Sequence, residues 1–265
     1  MKIVLLTSDN LRHKFIASVI SKQLDLKLIV IEAKSAKIQN TSELNIEDAE
    51  FISSHFKSRN KSEKQFFGGY KEFPEEILQR RIPHGNINSW EVNEAIDKIT
   101  PDLIVLFGTS IIKEALLGKY SGKIINLHLG LSPYYKGSAT NLFPYYHNEP
   151  ECVGATIHLA TAKVDQGSIL HQLRPNIEVN DDLHCIGNKT ILKAGEILPK
   201  LLESYSNGKI LPITQTSAGR ICRIKDLTPV VLRTIYDNFE KGMIKEYLQK
   251  KEERDDQKAI DNTRG

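Results

Sequence analysis

The sequence has little cysteine and no long apolar run. Its three cysteines, Cys152, Cys185 and Cys222, include no Cys-x-x-Cys pair, so we expect free thiols in a reducing compartment and no zinc site. Every apolar run is far shorter than the roughly 20 residues that a membrane span needs. The run that follows Met1 and Lys2 is also too short for a secretory signal. We therefore expect a cytoplasmic protein with no membrane partner.

Charge of one sign is also scarce. The 36 basic and 33 acidic residues leave a formal net charge of +3, which is too small to indicate a nucleic-acid partner. Hydrophobic residues make up 40% and charged residues 26% of the chain. These are ordinary globular proportions, and they exclude disordered, collagen-like and coiled-coil classes. The default expectation is an enzyme with an α/β fold.

The apolar pattern predicts a mostly parallel sheet. The continuous apolar run at 3–7 is typical of a parallel strand that is covered on both faces, and 26–31, 103–107 and 123–128 are predicted as further strands. The first two flank a helical pattern, which makes a right-handed β-α-β unit. After Pro150 the segments 154–160 and 168–179 alternate more and suit an antiparallel pair. The sequence thus predicts an α/β fold, a Rossmann-like mostly parallel sheet with added antiparallel strands.

The rest of the sequence predicts helices and a division of the chain into a core with an insertion, a C-terminal extension and a tail. Helical periodicity favours helices at about 45–66, 89–99 (capped by Asn88 or Ser89), 113–117, 141–147, 183–205, 228–239 and 241–253, with an extended stretch at 208–224. We expect a core over 1–205, a short C-terminal extension over 206–253 and a disordered tail over 254–265. The core contains a polar insertion at about 33–75, which is either a solvated cap on one face of the sheet or a lid or family-specific substrate element. Its His55, Phe56 and Arg59 have no assigned role.

Three loops follow the carboxyl ends of predicted strands, where open α/β sheets bind ligands. The loop at 8–10 has no Gly-x-Gly-x-x-Gly, so a dinucleotide site is not supported. The loop at 108–111 has one glycine. Its backbone could hold a flat heterocycle or form a plain turn.

The third loop, 128–137, carries the strongest signal. Asn126 and His128 are two apart on a strand, so their side chains point to the same face. Such a buried amide and imidazole either satisfy each other or line a site, and the adjoining Gly- and Pro-containing loop favours a site. Asp165 lies in a turn between the two later strands. It is either a turn former or a third polar group that holds the imidazole or carries protons.

Taken together, these motifs resemble the folate-dependent formyltransferases. That family includes glycinamide ribonucleotide, methionyl-tRNA and sugar-nucleotide N-formyltransferases. The resemblance covers about residues 100–205, with weaker agreement over 1–32. The set is specific although no single piece is, and its pieces are Leu103–Ser110, Asn126-Leu127-His128, Ser132-Pro133 with Gly137, Gly154-Ala155-Thr156 and Asp165-Gln166-Gly167.

The resemblance implies a reaction and a site. The co-substrate is 10-formyl-tetrahydrofolate, and no metal is required. Asn126 donates to the oxyanion of the tetrahedral intermediate, His128 acts as the general acid–base group, and Asp165 orients or charges His128. Folate-binding positions are Leu106, Phe107, Gly108, Thr109, Ser110, Ile111, Gly130 and Gly167.

The acceptor amine is less constrained. Glycinamide ribonucleotide enzymes have a glycine-rich phosphate loop after the first strand, and Thr7–Arg12 contains no glycine. Methionyl-tRNA enzymes have a large barrel-like C-terminal domain, whereas 60 residues follow Tyr205. The layout is closest to the sugar-nucleotide enzymes. We therefore expect a nucleotide-linked aminosugar as acceptor, no nucleic acid, and a possible homodimer.

In this interpretation the acceptor contacts a short aromatic loop, although the loop's tyrosines could instead pack against the core. The expected substrate-binding residues are Ser132, Pro133, Tyr134, Tyr135 and Lys136. Other hypotheses stay open. They are a glycinamide ribonucleotide or methionyl-tRNA type of formyltransferase, a formyl-tetrahydrofolate hydrolase, and a non-catalytic folate- or nucleotide-binding module.

Overall fold

The computed structural model describes residues 1–35, 42–216 and 219–260. The strands in these residues are Lys2–Thr7 (β1), Asp25–Glu32 (β2), Leu78–Ile82 (β3), Leu103–Leu106 (β4), Ile124–His128 (β5), Tyr135–Gly137 (β6), Ala155–Leu159 (β7), Ile169–Leu173 (β8) and Arg220–Cys222 (β9). The α-helices are Leu11–Gln23 (α1), Ile46–Phe67 (α2), Trp90–Ile99 (α3), Glu114–Lys119 (α4), Phe143–Tyr146 (α5), Leu183–Ser206 (α6), Pro229–Glu240 (α7), Met243–Gln249 (α8) and Lys251–Gln257 (α9). Single 3-10 turns occur at Pro150–Cys152 and Ile224–Asp226.

Within the described residues, one seven-stranded sheet has the order β3-β2-β1-β4-β5-β7-β8. The pairs from β3 through β5 are parallel, and β7 and β8 join the edge of β5 as antiparallel strands. The predicted fold class is confirmed. Strand β8 is shorter than the predicted segment 168–179. It ends at Leu173, because Pro175 follows soon after and has no N–H for the strand ladder.

Helices cover both faces of the sheet, which explains the continuous apolar runs. Along β1, Ile3 and Leu5 belong to the apolar cluster that includes α1 and α6. Val4 and Leu6 belong to a second cluster with α3 and α4 on the opposite face. All four side chains are fully buried.

One strand of the seven-stranded sheet was not predicted from the sequence. The strand β3 reads Leu-Gln-Arg-Arg-Ile and pairs in parallel with β2 at the edge of the sheet. Leu78 is 60% exposed, so an apolar run is not needed there. The strand forms because its backbone completes the hydrogen bonding of β2.

The described part of the insertion packs on the core, and residues 36–41 of the insertion lie outside the described residues. The predicted helix at 45–66 is confirmed as α2, which Asn45 caps by accepting the Asp48 N–H at 2.8 Å. This helix contacts α1, α6 and α7. On its buried face lie His55, Glu63 and Phe67.

Helix α9 extends into the segment 254–265, which the sequence predicts to be a disordered tail. Helix α9 continues to Gln257, and charged groups of the core hold it in place. Arg254 Nη2 lies 2.7 Å from a Glu151 carboxylate oxygen, and Arg174 Nη2 donates to the Lys258 carbonyl. Residues 261–265 of the predicted tail lie outside the described residues. No described helix has the length and apolar character of a membrane span.

Candidate active site

A cavity of about 320 Å³ lies at the carboxyl edge of the sheet. Its walls include the segment after β4, the end of β5, the turn after β7 and the first turn of α1. Parallel strands deliver their loops to this edge. The three predicted catalytic residues and the loop 106–111 all line the same space.

The structure brings Asn126, His128 and Asp165 into contact. Asn126 Nδ2 donates to Asp165 Oδ1 at 3.2 Å. His128 Nδ1 lies 3.4 Å from the other Asp165 oxygen. The ring's Nε2 lies 3.3 Å from the Tyr135 carbonyl oxygen. Both nitrogens of the ring thus face acceptors, and the imidazolium form satisfies both contacts.

The backbone holds the Asp165 carboxylate in a fixed position. Asp165 has a φ of 52°, in the left-handed region that is costly for a residue other than glycine. Gly137 N–H donates to Oδ2 at 2.7 Å, and the Gln215 side chain donates to the Asp165 carbonyl at 3.0 Å. These bonds support the strained turn and aim its carboxylate at His128.

A fourth member of the cluster, His158, was missed from the sequence. It lies on β7 directly opposite Asn126. Its Nε2 is 3.2 Å from Asn126 Nδ2 and 3.4 Å from Asp165 Oδ1, and its Nδ1 is 2.8 Å from the Leu159 carbonyl oxygen. A lone histidine in an apolar strand gives no local signal, because its partner is fixed only by the antiparallel register.

Burial and charge oppose each other in this cluster. Burial lowers the pKa of His128, and the neighbouring Asp165 carboxylate offsets this only in part. Burial would raise the pKa of Asp165, but the charges of His128 and His158 and the Gly137 N–H bring it below its ordinary value. Near neutral pH the cluster therefore holds a carboxylate beside an imidazole that is mostly uncharged.

The loop predicted to bind folate forms one wall of the cavity. All six positions from Leu106 to Ile111 line it. Ser110 N–H donates to one oxygen of Glu32 at 2.7 Å, and Gly85 N–H donates to the other at 2.8 Å. Because Glu32 fixes this loop from β2, its backbone is preorganised.

Two other glycines of the predicted folate set do not line the cavity. A Cβ at Gly130 would lie 2.7 Å from His128 Nε2, so glycine there leaves room for the imidazole ring. A Cβ at Gly167 would lie 1.7 Å from the Leu159 carbonyl oxygen. Close packing thus accounts for both glycines.

The predicted acceptor-binding residues also lie outside the cavity lining. Ser132 is fully buried, and its N–H donates to Thr156 Oγ1 at 2.9 Å. Pro133 follows a cis peptide bond, and Lys136 is buried. Tyr134 and Tyr135 line a separate cleft with Arg220. The fully buried Tyr135 ring therefore supports the packing alternative for this residue.

Basic side chains line the end of the cavity next to β1. Arg12, His13 and Lys34 all contact it, and none was predicted from the sequence. Acidic and thiol groups do not form a metal site: in residues 1–35, 42–216 and 219–260 no group of three or more His, Cys, Asp or Glu side chains is placed to hold a metal ion.

Comparison with known proteins relates the chain to formyl transferases. It is 28% identical over 184 residues to the methionyl-tRNA formyltransferase of Hydrogenobaculum sp. (strain Y04AAS1), covering 66% of this chain and 61% of that protein. It is 32% identical over 164 residues to the bifunctional polymyxin resistance protein ArnA of Wigglesworthia glossinidia brevipalpis, covering 58% of this chain and 24% of that protein. The chain thus matches about a quarter to three fifths of the length of these relatives.

Solved structures share the fold at lower identity. A phosphoribosylglycinamide formyltransferase from Anaplasma phagocytophilum superposes with a TM-score of 0.57 at 15% identity, over 84% of this chain and 98% of that one. A sugar N-formyltransferase from Shewanella sp. FDAARGOS_354 gives a TM-score of 0.57 at 16% identity, over 90% and 87%. The family model described as formyl transferase matches residues 1–202. The chain therefore belongs to the formyl transferase family.

Proposed function

We propose that this protein transfers the formyl group of 10-formyl-tetrahydrofolate to a primary amine. The observation that carries the proposal is the convergence of Asn126, His128 and Asp165 on one cavity wall. The same cavity is lined by the loop 106–111, which Glu32 holds in place and whose backbone we assign to a flat ring. Membership of the formyl transferase family supports the same reaction.

In this mechanism the amine nitrogen attacks the formyl carbon and forms a new C–N bond. The carbonyl oxygen becomes an oxyanion, which Asn126 Nδ2 stabilises by donating a hydrogen bond. In this structure Asn126 Nδ2 contacts His158 Nε2 and Asp165 Oδ1. One of these two contacts must therefore be exchanged for the oxyanion as the substrate reacts.

His128 is the proposed proton carrier. Its lowered pKa keeps the imidazole able to accept a proton from the attacking amine near neutral pH. The Asp165 carboxylate, close to His128 Nδ1, stabilises the imidazolium that forms. When the bond between the formyl carbon and the folate nitrogen breaks, the proton returns to that nitrogen. No net proton is gained or lost.

We further propose that the acceptor is a nucleotide-linked aminosugar and that the reaction takes place in the cytoplasm. Two donors of the loop after β1 are hydrogen-bonded within the protein, which disfavours a backbone phosphate loop of the glycinamide ribonucleotide type and leaves the Arg12 side chain as a separate group. Ser8 Oγ donates to the Glu32 carbonyl at 2.8 Å, and the Arg12 N–H donates to a Glu63 carboxylate oxygen at 3.0 Å. Both groups are thus engaged within the protein.

A panel of amines tests the proposed reaction and its acceptor. The purified protein is mixed with 10-formyl-tetrahydrofolate and with nucleotide-linked aminosugars, glycinamide ribonucleotide or methionyl-tRNA in separate reactions. Mass spectrometry then detects the added formyl group. Formylation of an aminosugar supports the proposal, and formylation of another acceptor alone contradicts the choice of acceptor. Release of formate without any amine product would indicate a hydrolase.

A further inference from the structure

Three basic side chains from three separate elements lie near one another, and two of them line the cavity. Arg12 is in the first turn of α1, Lys34 follows β2, and Arg59 is in the insertion helix α2. Burial and the charges of Arg12 and Arg59 lower the pKa of Lys34, and burial and the charge of Arg12 lower the pKa of Arg59. Lys34 and Arg12 also line the cavity itself.

The insertion helix fixes this cluster through an acidic side chain. Both Glu63 oxygens bind Arg12, one accepting the backbone N–H at 3.0 Å and the other accepting Nη1 at 2.7 Å. Arg59 lies one turn before Glu63 on the same face of α2. Its guanidinium carbon is 4.8 Å from the Phe56 ring centroid. Its buried Nε has no hydrogen-bond partner within the part of the chain that the structure describes.

Lys34 points its ammonium group at the loop that lines the cavity. Nζ donates to the Gly108 carbonyl at 2.6 Å. His13 lies next to it, since a Cβ on Gly108 would be 2.6 Å from His13 Nε2 and 3.2 Å from Lys34 Nζ. The Asn10 N–H donates to His13 Nδ1 at 3.0 Å, so the neutral ring carries its proton on Nε2. His13 therefore adds a neutral donor beside three cations.

The nearby carboxylates do not balance these charges. Glu63 and Glu32 are the acids that act on Lys34. Both oxygens of Glu63 are bonded to Arg12, and both oxygens of Glu32 accept backbone N–H groups of Gly85 and Ser110. Three cations thus face two engaged carboxylates. An uncompensated charge in a partly buried place is costly, and a bound anion removes that cost.

We propose that Arg12, Lys34 and Arg59 bind the phosphate group of the acceptor substrate. This subsite rests on the proposed function, because the acceptor's amine then reaches the Asn126–His128–Asp165 cluster, which lines the same cavity. It also gives the insertion a role, since α2 supplies Arg59 and the Glu63 that holds Arg12.

A phosphate of the acceptor fits this subsite better than a carboxylate from the folate tail. Donors that arrive from three directions with excess charge match a tetrahedral, multiply charged anion. The wall suited to the flat folate ring is formed by apolar side chains such as Leu106, Ile112 and Val164.

Pyrophosphate binding tests the subsite without any acceptor. Isothermal titration calorimetry at pH 8, in two buffers of different ionisation enthalpy, measures affinity and proton uptake. Burial and the Arg12 charge lower the pKa of Lys34 to about 8, against Glu32 and Glu63, which raise it. A bound anion raises that pKa, so the wild-type protein takes up protons on binding.

Matched variants make the result specific. Arg59→Met removes the charge and keeps an apolar chain on Phe56, and Lys34→Met leaves α2 untouched. Each is expected to weaken pyrophosphate binding by about 10-fold or more. Lys57→Met, an exposed change on the same helix, is expected to leave the affinity unchanged. Unfolding temperatures confirm that each variant is folded.

Two results would overturn the proposal. One is pyrophosphate affinity that is the same in both variants and the wild type. The other is a change in folate binding: if Lys34→Met and Arg59→Met bind the triglutamate form of 5-formyl-tetrahydrofolate more weakly than the wild type but bind the monoglutamate form equally well, the cluster belongs to the folate tail.

The subsite and the proposed function can fail separately. If no amine is formylated yet Arg59→Met still binds pyrophosphate more weakly than the wild type, the proposed function fails and the anion subsite stands. If an aminosugar is formylated with unchanged KM in both variants, the subsite fails and the function stands.

Discussion

Asn126 and His158 lie directly opposite each other on antiparallel β5 and β7, with Nδ2 and Nε2 3.2 Å apart. This cross-strand pair links the proposed catalytic amide to the neighbouring antiparallel strand. Strand register therefore sets the position of the amide. A site built on two strands is held more rigidly than one built on loops.

His158→Gln is expected to shift the pH profile. The charge of His158 lowers the pKa of His128, so its removal raises that pKa and moves the acid limb of kcat/KM to higher pH. Turnover should fall less than in His128→Ala, because His158 acts as a positioning residue. A pH–rate profile with an unmoved acid limb would show that His158 has only a packing role.

Asp165→Asn is expected to move the acid limb the other way. The Asp165 carboxylate raises the pKa of His128 against the effect of burial. Without it the pKa of His128 falls further, and activity persists to lower pH than in the wild type. Turnover at neutral pH should drop by about 100-fold, since the imidazolium loses its counter-charge. Steady-state rates measure both effects when the pH is varied from about 2 units below to about 2 units above the ordinary histidine pKa.

Ile111→Asp is expected to weaken folate binding selectively. Ile111 lines the cavity yet is 67% exposed, so the substitution should not disturb folding. A carboxylate on the proposed folate wall should raise the folate KM by about 10-fold or more and change the acceptor KM little. The opposite pattern would show that the folate and acceptor ends of the cavity have been exchanged. Leu78→Asp, at an exposed position remote from the cavity, is the matched control.

Because two histidines are buried, we expect the free energy of unfolding to fall at acid pH. His55 and His184 have ring centroids 4.8 Å apart, and Tyr236 OH contacts both rings. Burial lowers the pKa of His55 to about 3 and that of His184 to about 4. Because the unfolded chain binds these protons more tightly, stability is complete above about pH 6.5 and falls as the pH drops toward 4 and then 3.

Each histidine contributes a slope of up to about 1.4 kcal/mol per pH unit in this range. The double variant His55→Phe with His184→Leu removes both titrating groups. Its free energy of unfolding, measured with urea at pH 7 and pH 5, should depend less on pH than that of the wild type. An equal pH dependence in the two proteins would show that these histidines do not carry the effect.

The local apolar pattern of the sequence predicts strands that are buried on both faces. It does not predict the edge strand β3, which is partly exposed. The fully buried β1 gives a continuous apolar run, and alternate residues pack on opposite helical layers. The edge strand β3 contains two arginines and stays partly exposed. Only its pairing with β2 defines it, and pairing is not visible in a five-residue window.

The site divides in the same way. Asn126 and His128 were found because alternation along one strand puts them on one face. Tyr134 and Tyr135 were placed with the acceptor because they adjoin the motif, but adjacency in sequence does not fix which side of a loop a ring occupies. The contact between Arg12 and Glu63 spans 51 positions of the chain. Only the packing of α2 on α1 creates it.

The rate of formyl transfer by His128→Ala tests the central claim most directly. It is measured with 10-formyl-tetrahydrofolate and the acceptor found in the panel, beside the wild type and His84→Ala, an exposed histidine outside the site. The account predicts that His128→Ala loses about 100-fold or more in turnover while its unfolding temperature and folate affinity stay near wild type, because a general acid–base group is gone. Near-normal turnover in a folded His128→Ala protein would contradict the assignment of the cluster as the catalytic centre.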